Sequence, residues 1–523
     1  MAAAASSPQS CLLLLLWLLA IAALVIADGG NDGGRRVVRN GVAVISLAEL
    51  DAWGAARKNP SNSKRAEMLG EQKKSNKPAT SSTTLVVLEL KHQSLVTVPD
   101  EPAARDRYLR RLLAADEARA SSLQPCNRAS GASRQSSSNA AAEVPLTSGI
   151  GFQTLNYVTT ITLGGGGTNN KLTVIVDTGS DLTWVQCKPC SSCYPQRDPL
   201  FDPAGSPTYA AVPCNASACA ASLKAATGTP GSCATTSTST SERCYYALGY
   251  GDGSSSRGVL ATDTVGLGRA RLDGFVFGCG LSNRGLFGGT AGLMGLGRTE
   301  LSLVSQTRPT YGGAFSYCLP ATTSTSSVGS LSLGGVDTSS SSSFRNTTPV
   351  AYTRMIADPA QPPFYFLNVT GASVGGAQLS APGLGAANVL IDSGTVITRL
   401  APSVYRAVRD EFARQFAAEA GHNYRTAPGF SILDTCYDLT GSDEVKVPLL
   451  TLRLEGGAEV TVDPAGMLFV VKKDGSQVCL AMASLPYEDQ TPIIGNYQQK
   501  NKRVVYDTVG ARLGFADEDC AYV

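Results

Sequence analysis

Two aspartates stand out by their surroundings. Asp177 ends the apolar run Leu172-Thr-Val-Ile-Val and is followed at once by Thr178-Gly179-Ser180. The pattern returns 215 residues later, where Val389-Leu-Ile leads into Asp392 and then Ser393-Gly394-Thr395. A carboxylate at the tip of a buried strand is costly unless neighbouring donors satisfy it. One such tetrapeptide is an ordinary turn. Two on matching strands predict a duplicated structure that delivers one carboxylate from each copy to a shared site. Two carboxyls that close share one proton, because both cannot ionise readily. The ionised member can take a proton from water while the protonated member gives one to a carbonyl oxygen. In this reading Gly179 and Gly394 admit the backbone close to each carboxylate, and the hydroxyls of Ser180 and Thr395 hydrogen-bond its outer oxygen.

Other chemistries have little material. The chain has two histidines, His92 and His422, too few for a histidine-based nucleophilic site or a polyhistidine metal site. The Gly164–Gly167 run lacks the Lys-Ser/Thr that a phosphate loop needs, and no helix opens after it. A formal net charge of +2 over 523 residues gives no whole-chain case for nucleic acid. No cofactor and no metal are expected.

The elements that must position the aspartates read as strand after strand. From Val144 onward short alternating segments are separated by glycine-rich turns, such as Asn156–Leu163, Val259–Leu267 and Gly274–Gly280. The clearest helix spans Pro402–Glu419, with Tyr405, Val408, Phe412 and Phe416 on one face and Gly421 as its stop. Leu293-Met294-Gly295 in the first half is echoed by Ile493-Ile494-Gly495 in the second, which supports duplication. Tyr250-Gly-Asp-Gly253-Ser254 reads as a hairpin tip. The length calls for more than one domain. The organisation expected is a signal peptide over 1–27, a prosegment over 28–143, an N-terminal lobe over 144–345 and a C-terminal lobe over 346–523. A cysteine-rich insertion occupies 187–244.

The apolar run Cys11–Ile26 is short for a membrane span and suits signal-peptidase cleavage after Ala27. Its n-region carries no Lys or Arg, so an uncleaved anchor is the alternative. No apolar tail closes the chain, and no lipid anchor is expected there. The segment 28–143 has eighteen Lys and Arg against thirteen Asp and Glu, whereas 144–523 has twenty-six against twenty-nine. Within it Leu85–Leu90 reads as a strand, Pro102–Ala120 as an amphipathic helix and Ser121–Ala142 as a flexible Ser/Ala-rich junction. A net-positive prosegment lying on an acidic body fits this pattern; a solvated extension is the bland reading. Fourteen cysteines argue for an oxidising compartment. The twelve from Cys187 to Cys520 form an even set that suits six disulfides, with a metal knuckle at Cys187-Lys-Pro-Cys190-Ser-Ser-Cys193 as the rival. Asn215, Asn346 and Asn368 stand in glycosylation acceptor triplets.

The two aspartate motifs, the Tyr250 hairpin and Trp184, seven residues after the first aspartate, resemble the pepsin-like aspartic proteases. The cysteine-rich insertion, Leu433-Asp-Thr-Cys-Tyr-Asp438 and Asn496-Tyr-Gln-Gln-Lys-Asn-Lys-Arg-Val-Val-Tyr-Asp507 narrow the likeness to the plant nepenthesin-type branch. The resemblance covers about 157–520. It implies a mainly β, bilobal fold of two homologous β-barrel-like lobes, with the site in the cleft between them. It implies an acid endopeptidase acting on proteins or peptides, made as a secreted zymogen, inhibited by its own prosegment, monomeric and destined for the apoplast or vacuole. It makes Asp177 and Asp392 the catalytic pair, Tyr250 the flap tyrosine that closes over substrate, with Gly253 and Ser254 in the same flap, and Trp184 its hydrogen-bond partner. The pairing it implies is Cys187–Cys190, Cys193–Cys279, Cys214–Cys244, Cys219–Cys233, Cys318–Cys520 and Cys436–Cys479. Two rival functions stand beside it. One is an inactive inhibitor of xylan-degrading enzymes. The other is a DNA-binding protease of the chloroplast, which an apolar leader and the lack of a basic stripe disfavour.

Overall fold

The computed structural model describes residues 38–47, 49–50, 101–124, 142–148, 154–165, 171–236, 239–250, 253–321, 328–334, 348–418 and 424–521. The architecture is mainly β with short helices, as expected. A sheet of fifteen strands runs from Ser232–Thr236 at one end to Ala351–Arg354 at the other. It takes up most first-half strands and also Lys502–Asp507 and Arg512–Asp517 from the end of the chain. An eight-stranded sheet and a four-stranded sheet carry the rest of the second half except Glu444–Pro448, which lies in a separate three-stranded sheet.

The duplication is visible in register. Lys171–Asp177 runs parallel to Gly292–Gly295, with Asp177 opposite Gly295. Asn388–Ile391 runs parallel to Ile493–Ile494 in the same manner. The strand after each aspartate then pairs antiparallel with that same partner: Trp184–Gln186 with Gly292–Leu293, and Arg399 with Ile493. Each apolar run is therefore buried on both sides, which explains why both read as unbroken β-branched sequence.

The Pro402–Ala418 helix forms with its expected face. Tyr405, Val408, Phe412 and Phe416 are all buried, and Phe412 and Phe416 stack with centroids 5.0 Å apart. A short helix, Leu303–Gln306, opens at Ser302, whose hydroxyl accepts from Ser305 N–H. Among the described residues no helix is long and apolar enough to cross a membrane.

Two elements precede the β body. Val42–Ser46 is a strand antiparallel to Glu444–Pro448, with Ala43 and Ile45 buried in the main core. The sequence pattern singles out Leu85–Leu90 instead, which lies outside the described residues, as do the leader, His92 and His422. The second element is the helix Pro102–Ser122, opened by Glu101, whose carboxylate accepts from the N–H groups of Ala103 and Ala104. Leu109 and Leu113 bury against Val396, Ile397, Phe430 and Leu433, and Ala120 against Leu390 and Ile493. At its end Gln124 and the backbone of Thr491 exchange two hydrogen bonds.

All twelve cysteines from Cys187 to Cys520 are in disulfides, so no thiolate knuckle is left at Cys187–Cys193. Cys318–Cys520 and Cys436–Cys479 pair as expected. The other four expected pairs are corrected to Cys187–Cys279, Cys190–Cys193, Cys214–Cys233 and Cys219–Cys244. The reason is strand adjacency. Trp184–Gln186 runs parallel to Gly278–Gly280, which brings Cys187 beside Cys279, with Cα atoms 5.4 Å apart. Cys190 and Cys193 then have only each other. Cys233 and Cys244 face one another across a hairpin, and each reaches outward to one cysteine of the insertion.

Candidate active site

The chain folds so that two turns meet head on. The N–H of Thr178 donates to Ser393 Oγ at 3.0 Å, and the N–H of Ser393 donates to Thr178 Oγ1 at 2.9 Å. This reciprocal pair locks one turn to the other and brings Asp177 and Asp392 together, both fully buried. Their donors match atom for atom. Gly179 N–H donates to Asp177 Oδ1 at 3.0 Å and Gly394 N–H to Asp392 Oδ1 at 2.9 Å. Ser180 Oγ donates to Asp177 Oδ2 and Thr395 Oγ1 to Asp392 Oδ2, each at 2.6 Å.

The two glycines are required by space. A Cβ on Gly179 would lie 2.7 Å from Asp392 Oδ1, and one on Gly394 would collide with Asp177 Oδ1. Behind each turn, Gly295 and Gly495 donate N–H groups to Thr183 Oγ1 and Thr398 Oγ1. Those threonines occupy equivalent places, six residues after each aspartate.

Tyr250 lies near the pair, with its hydroxyl accepting from Trp184 Nε1 at 2.8 Å. Its ring meets Phe287 edge-on at 5.5 Å, and Phe287 in turn packs on Trp184 at 4.9 Å. The hairpin closes through Tyr250 N–H to Ser254 O, with Gly253 at φ +79°. Ser254 is buried and its hydroxyl accepts from Leu286 N–H. Of the glycosylation triplets, Asn215 is exposed in a turn, Asn368 is half-buried on a strand and Asn346 lies outside the described residues.

The sequence did not single out what fills the site. Arg119, from the Pro102–Ser122 helix, places Nη2 2.6 Å from Asp177 Oδ1 and 3.0 Å from Asp392 Oδ2, with Nε also donating to Asp392 Oδ2 at 3.1 Å. One guanidinium thus bridges both carboxylates. Burial opposes that charge, but Asp177 and Asp392 outweigh it and hold the Arg119 pKa above its usual value. Burial pushes the Asp177 carboxyl up, Arg119 pulls it back and Asp392 adds to the rise. Burial also drives Tyr250 well above the ordinary phenol range.

One turn earlier on the same helix, Asp116 is buried against the strand end that follows Asp392. It accepts from Val396 N–H at 2.6 Å, Ile397 N–H at 3.0 Å and Arg399 Nη2 at 3.0 Å. Glu117 also meets Arg399, at 3.1 Å from Nε. A polar residue at a core spacing was the available signal: Leu109, Leu113, Asp116 and Ala120 form one helical stripe. Close by, Asp181 is fully buried, with Oδ1 accepting from Thr299 N–H at 2.8 Å, and burial raises its pKa to about 7.

Comparison with known proteins agrees with this geometry. A family model described as "Xylanase inhibitor N-terminal" matches residues 157–335, and one described as "Xylanase inhibitor C-terminal" matches 364–517. An aspartyl protease family protein of Arabidopsis thaliana is 41% identical over 414 residues, 78% of this chain and 82% of its own. Aspartic proteinase nepenthesin-1 of Nepenthes gracilis is 36% identical over 66% of this chain and 74% of its own. Among solved structures, that of edgp superposes with a TM-score of 0.57 at 21% identity, over 74% of this chain and 96% of that one. Basic 7S globulin from soybean follows at 0.56 and 18%, over 73% and 96%. These structures share the fold. With its paired Asp-Thr-Gly-Ser and Asp-Ser-Gly-Thr turns, the chain belongs to the pepsin-like aspartic protease family, in the plant nepenthesin-type branch.

Proposed function

We propose that the chain is an aspartic endopeptidase, made as a latent precursor on the secretory route and active on protein substrates at acidic pH. The observation that carries this reading is the completeness of the pair. Both aspartates keep their glycine N–H, their hydroxyl donor and their reciprocal lock.

With one proton shared, the ionised carboxylate draws a proton from a water molecule as its oxygen attacks the peptide carbonyl. The protonated carboxyl gives its proton to the carbonyl oxygen, leaving a neutral tetrahedral diol. Return of a proton to the amide nitrogen, as a diol hydroxyl gives one back to the pair, breaks the C–N bond. No charge has to leave the cleft. The Tyr250 hairpin would cover the substrate, which lies extended and is held through its backbone.

In the precursor Arg119 occupies the place of that water and neutralises the pair. We assign the helix and the segment around it to a removable prosegment, with a signal peptide over 1–27 and an apoplastic or vacuolar destination. The names of the two family models favour a second reading, an inhibitor without activity. One assay separates them: casein digestion by acid-treated protein from about pH 2 to 7, with Asp177→Asn and pepstatin as controls. Digestion abolished by both supports the endopeptidase. Digestion that survives both, or none at any pH, refutes it.

A further inference from the structure

The contacts of Asp116 carry a specificity determinant that neither the family likeness nor the catalytic pair supplies. We propose that Arg399, with the N–H groups of Val396 and Ile397, forms a carboxylate-binding subsite that makes the mature enzyme prefer substrates with Asp or Glu beside the cleavage point. The inference rests on the endopeptidase reading and on departure of the Pro102–Ser122 helix.

The precursor holds a carboxylate in this place already. Asp116 Oδ1 takes the Val396 N–H, and Oδ2 takes the Ile397 N–H and Arg399 Nη2. Three donors on one carboxylate, one of them charged, form a strong and geometrically selective cradle. The body supplies all three, whereas the carboxylate belongs to the helix. Arg399 is anchored in the body, where its Nη1 donates to Ile397 O at 2.7 Å and its side chain is 1% exposed under the helix. Its two acidic partners, Asp116 and Glu117, both depart with the helix. A buried guanidinium and two backbone N–H groups would then face the cleft needing an acceptor, and leaving such donors unmet is costly. A substrate side chain carboxylate restores all three bonds.

The helix also sets the distance. Asp116 precedes Arg119 by three residues, which along a helix is about 4.5 Å. An extended peptide covers that rise in one to two residues, at roughly 3.3 Å each. The favoured acid therefore sits within about two residues of the residue at the catalytic pair, on one side only.

The test uses full-length precursor matured by acid treatment, and fluorogenic peptides that share one apolar cleavage pair. Asp or Asn is placed at each of three positions on either side. At about pH 5, where a free Asp is ionised, the Asp peptide should exceed its Asn twin in kcat/KM by about tenfold at one position. Arg399→Gln should bring that ratio close to one, the comparison being made between Asp and Asn peptides within the same variant. If Arg399→Gln does not fold, Arg399→Lys, which keeps the charge without the fork, should give an intermediate ratio. A wild-type ratio near one at all six positions overturns the subsite while leaving the endopeptidase intact. So does an undiminished ratio in whichever Arg399 variant folds. Failure to cleave any Asn peptide refutes the endopeptidase reading itself, and the subsite falls with it.

Discussion

On the proposed endopeptidase reading, replacing Arg119 by Met should convert a latent precursor into a leaky one. The guanidinium is the only group of the Pro102–Ser122 helix described as touching both aspartates, and its side chain is 15% exposed. Removing one partner of a buried ion pair costs about 3–5 kcal/mol, because the other charge is left uncompensated. Here the abandoned carboxylates can share a proton, so the low end applies. A docking loss of about 3 kcal/mol raises the population with an open cleft roughly a hundredfold. The helix keeps its Asp116 anchor and its apolar face, so the variant still docks and folds.

The pH dependence has a definite sign. Arg119 lowers the Asp177 pKa against the rise caused by burial and by Asp392. The docked cleft therefore binds protons more weakly than the open one, and acid favours opening. Even docked, Asp177 sits above its ordinary value because burial and Asp392 outweigh Arg119, so release begins at a higher pH than an ordinary aspartate would set. Initial rates of peptide hydrolysis by intact precursor, its mass checked at each time point, read both effects. Wild type should be silent at neutral pH and open on acidification. Arg119→Met should hydrolyse peptide at pH values where wild type does not, with a flatter profile. If the folded variant is as silent as wild type across that range, the bridge is not what holds the cleft shut.

Two further perturbations have expected outcomes. Asp181 is fully buried with its pKa raised from 3.8 to about 7. Its contribution to stability is complete below the unfolded value and lost as pH rises through about 7, a swing of about 4 kcal/mol. Asp181→Asn should therefore flatten the fall in Tm between acid and neutral pH, and an unchanged slope would count against it. Tyr250→Phe keeps the ring on Phe287 but removes the acceptor of the Trp184 N–H. A fall of about tenfold in kcat/KM with little change in Tm is expected, and equal kcat/KM would remove Tyr250 from the site.

The aspartate frames were legible because everything they need is local: a β-branched run, a carboxylate, a hydroxyl and a glycine in fixed order. The Pro402–Ala418 helix was legible for the same reason, through spacing alone. Cysteine connectivity was not, because it depends on which strands lie side by side. The parallel run of Trp184–Gln186 against Gly278–Gly280 leaves no local mark, yet it alone decides that Cys187 meets Cys279. Arg119 was hidden among five arginines of one helix, since periodicity places a residue on a face but not at the end of its reach. In sequence, the basic character of the segment suggests only a diffuse attraction. The structure concentrates it in one side chain at the aspartate pair, with an acidic neighbour, Asp116, facing the opposite sign. Val42–Ser46 went unnoticed because a strand that short carries little signal until Glu444–Pro448 is placed beside it.

That strand changes what maturation amounts to. A cut anywhere between Gln124 and Ala142 frees the Pro102–Ser122 helix from the body covalently, but the released fragment still contains Val42–Ser46. Ala43 and Ile45 remain buried beside Val445 and Val447, stitched across Glu444–Pro448 by a backbone ladder. The helix is then a tethered ligand, and its return to the cleft depends on local rather than bulk concentration. Scission alone would leave a reversible, two-chain enzyme, able to shut again when the medium is neutralised. On the proposed precursor reading, permanent activity would require a second event that strips the strand from its sheet.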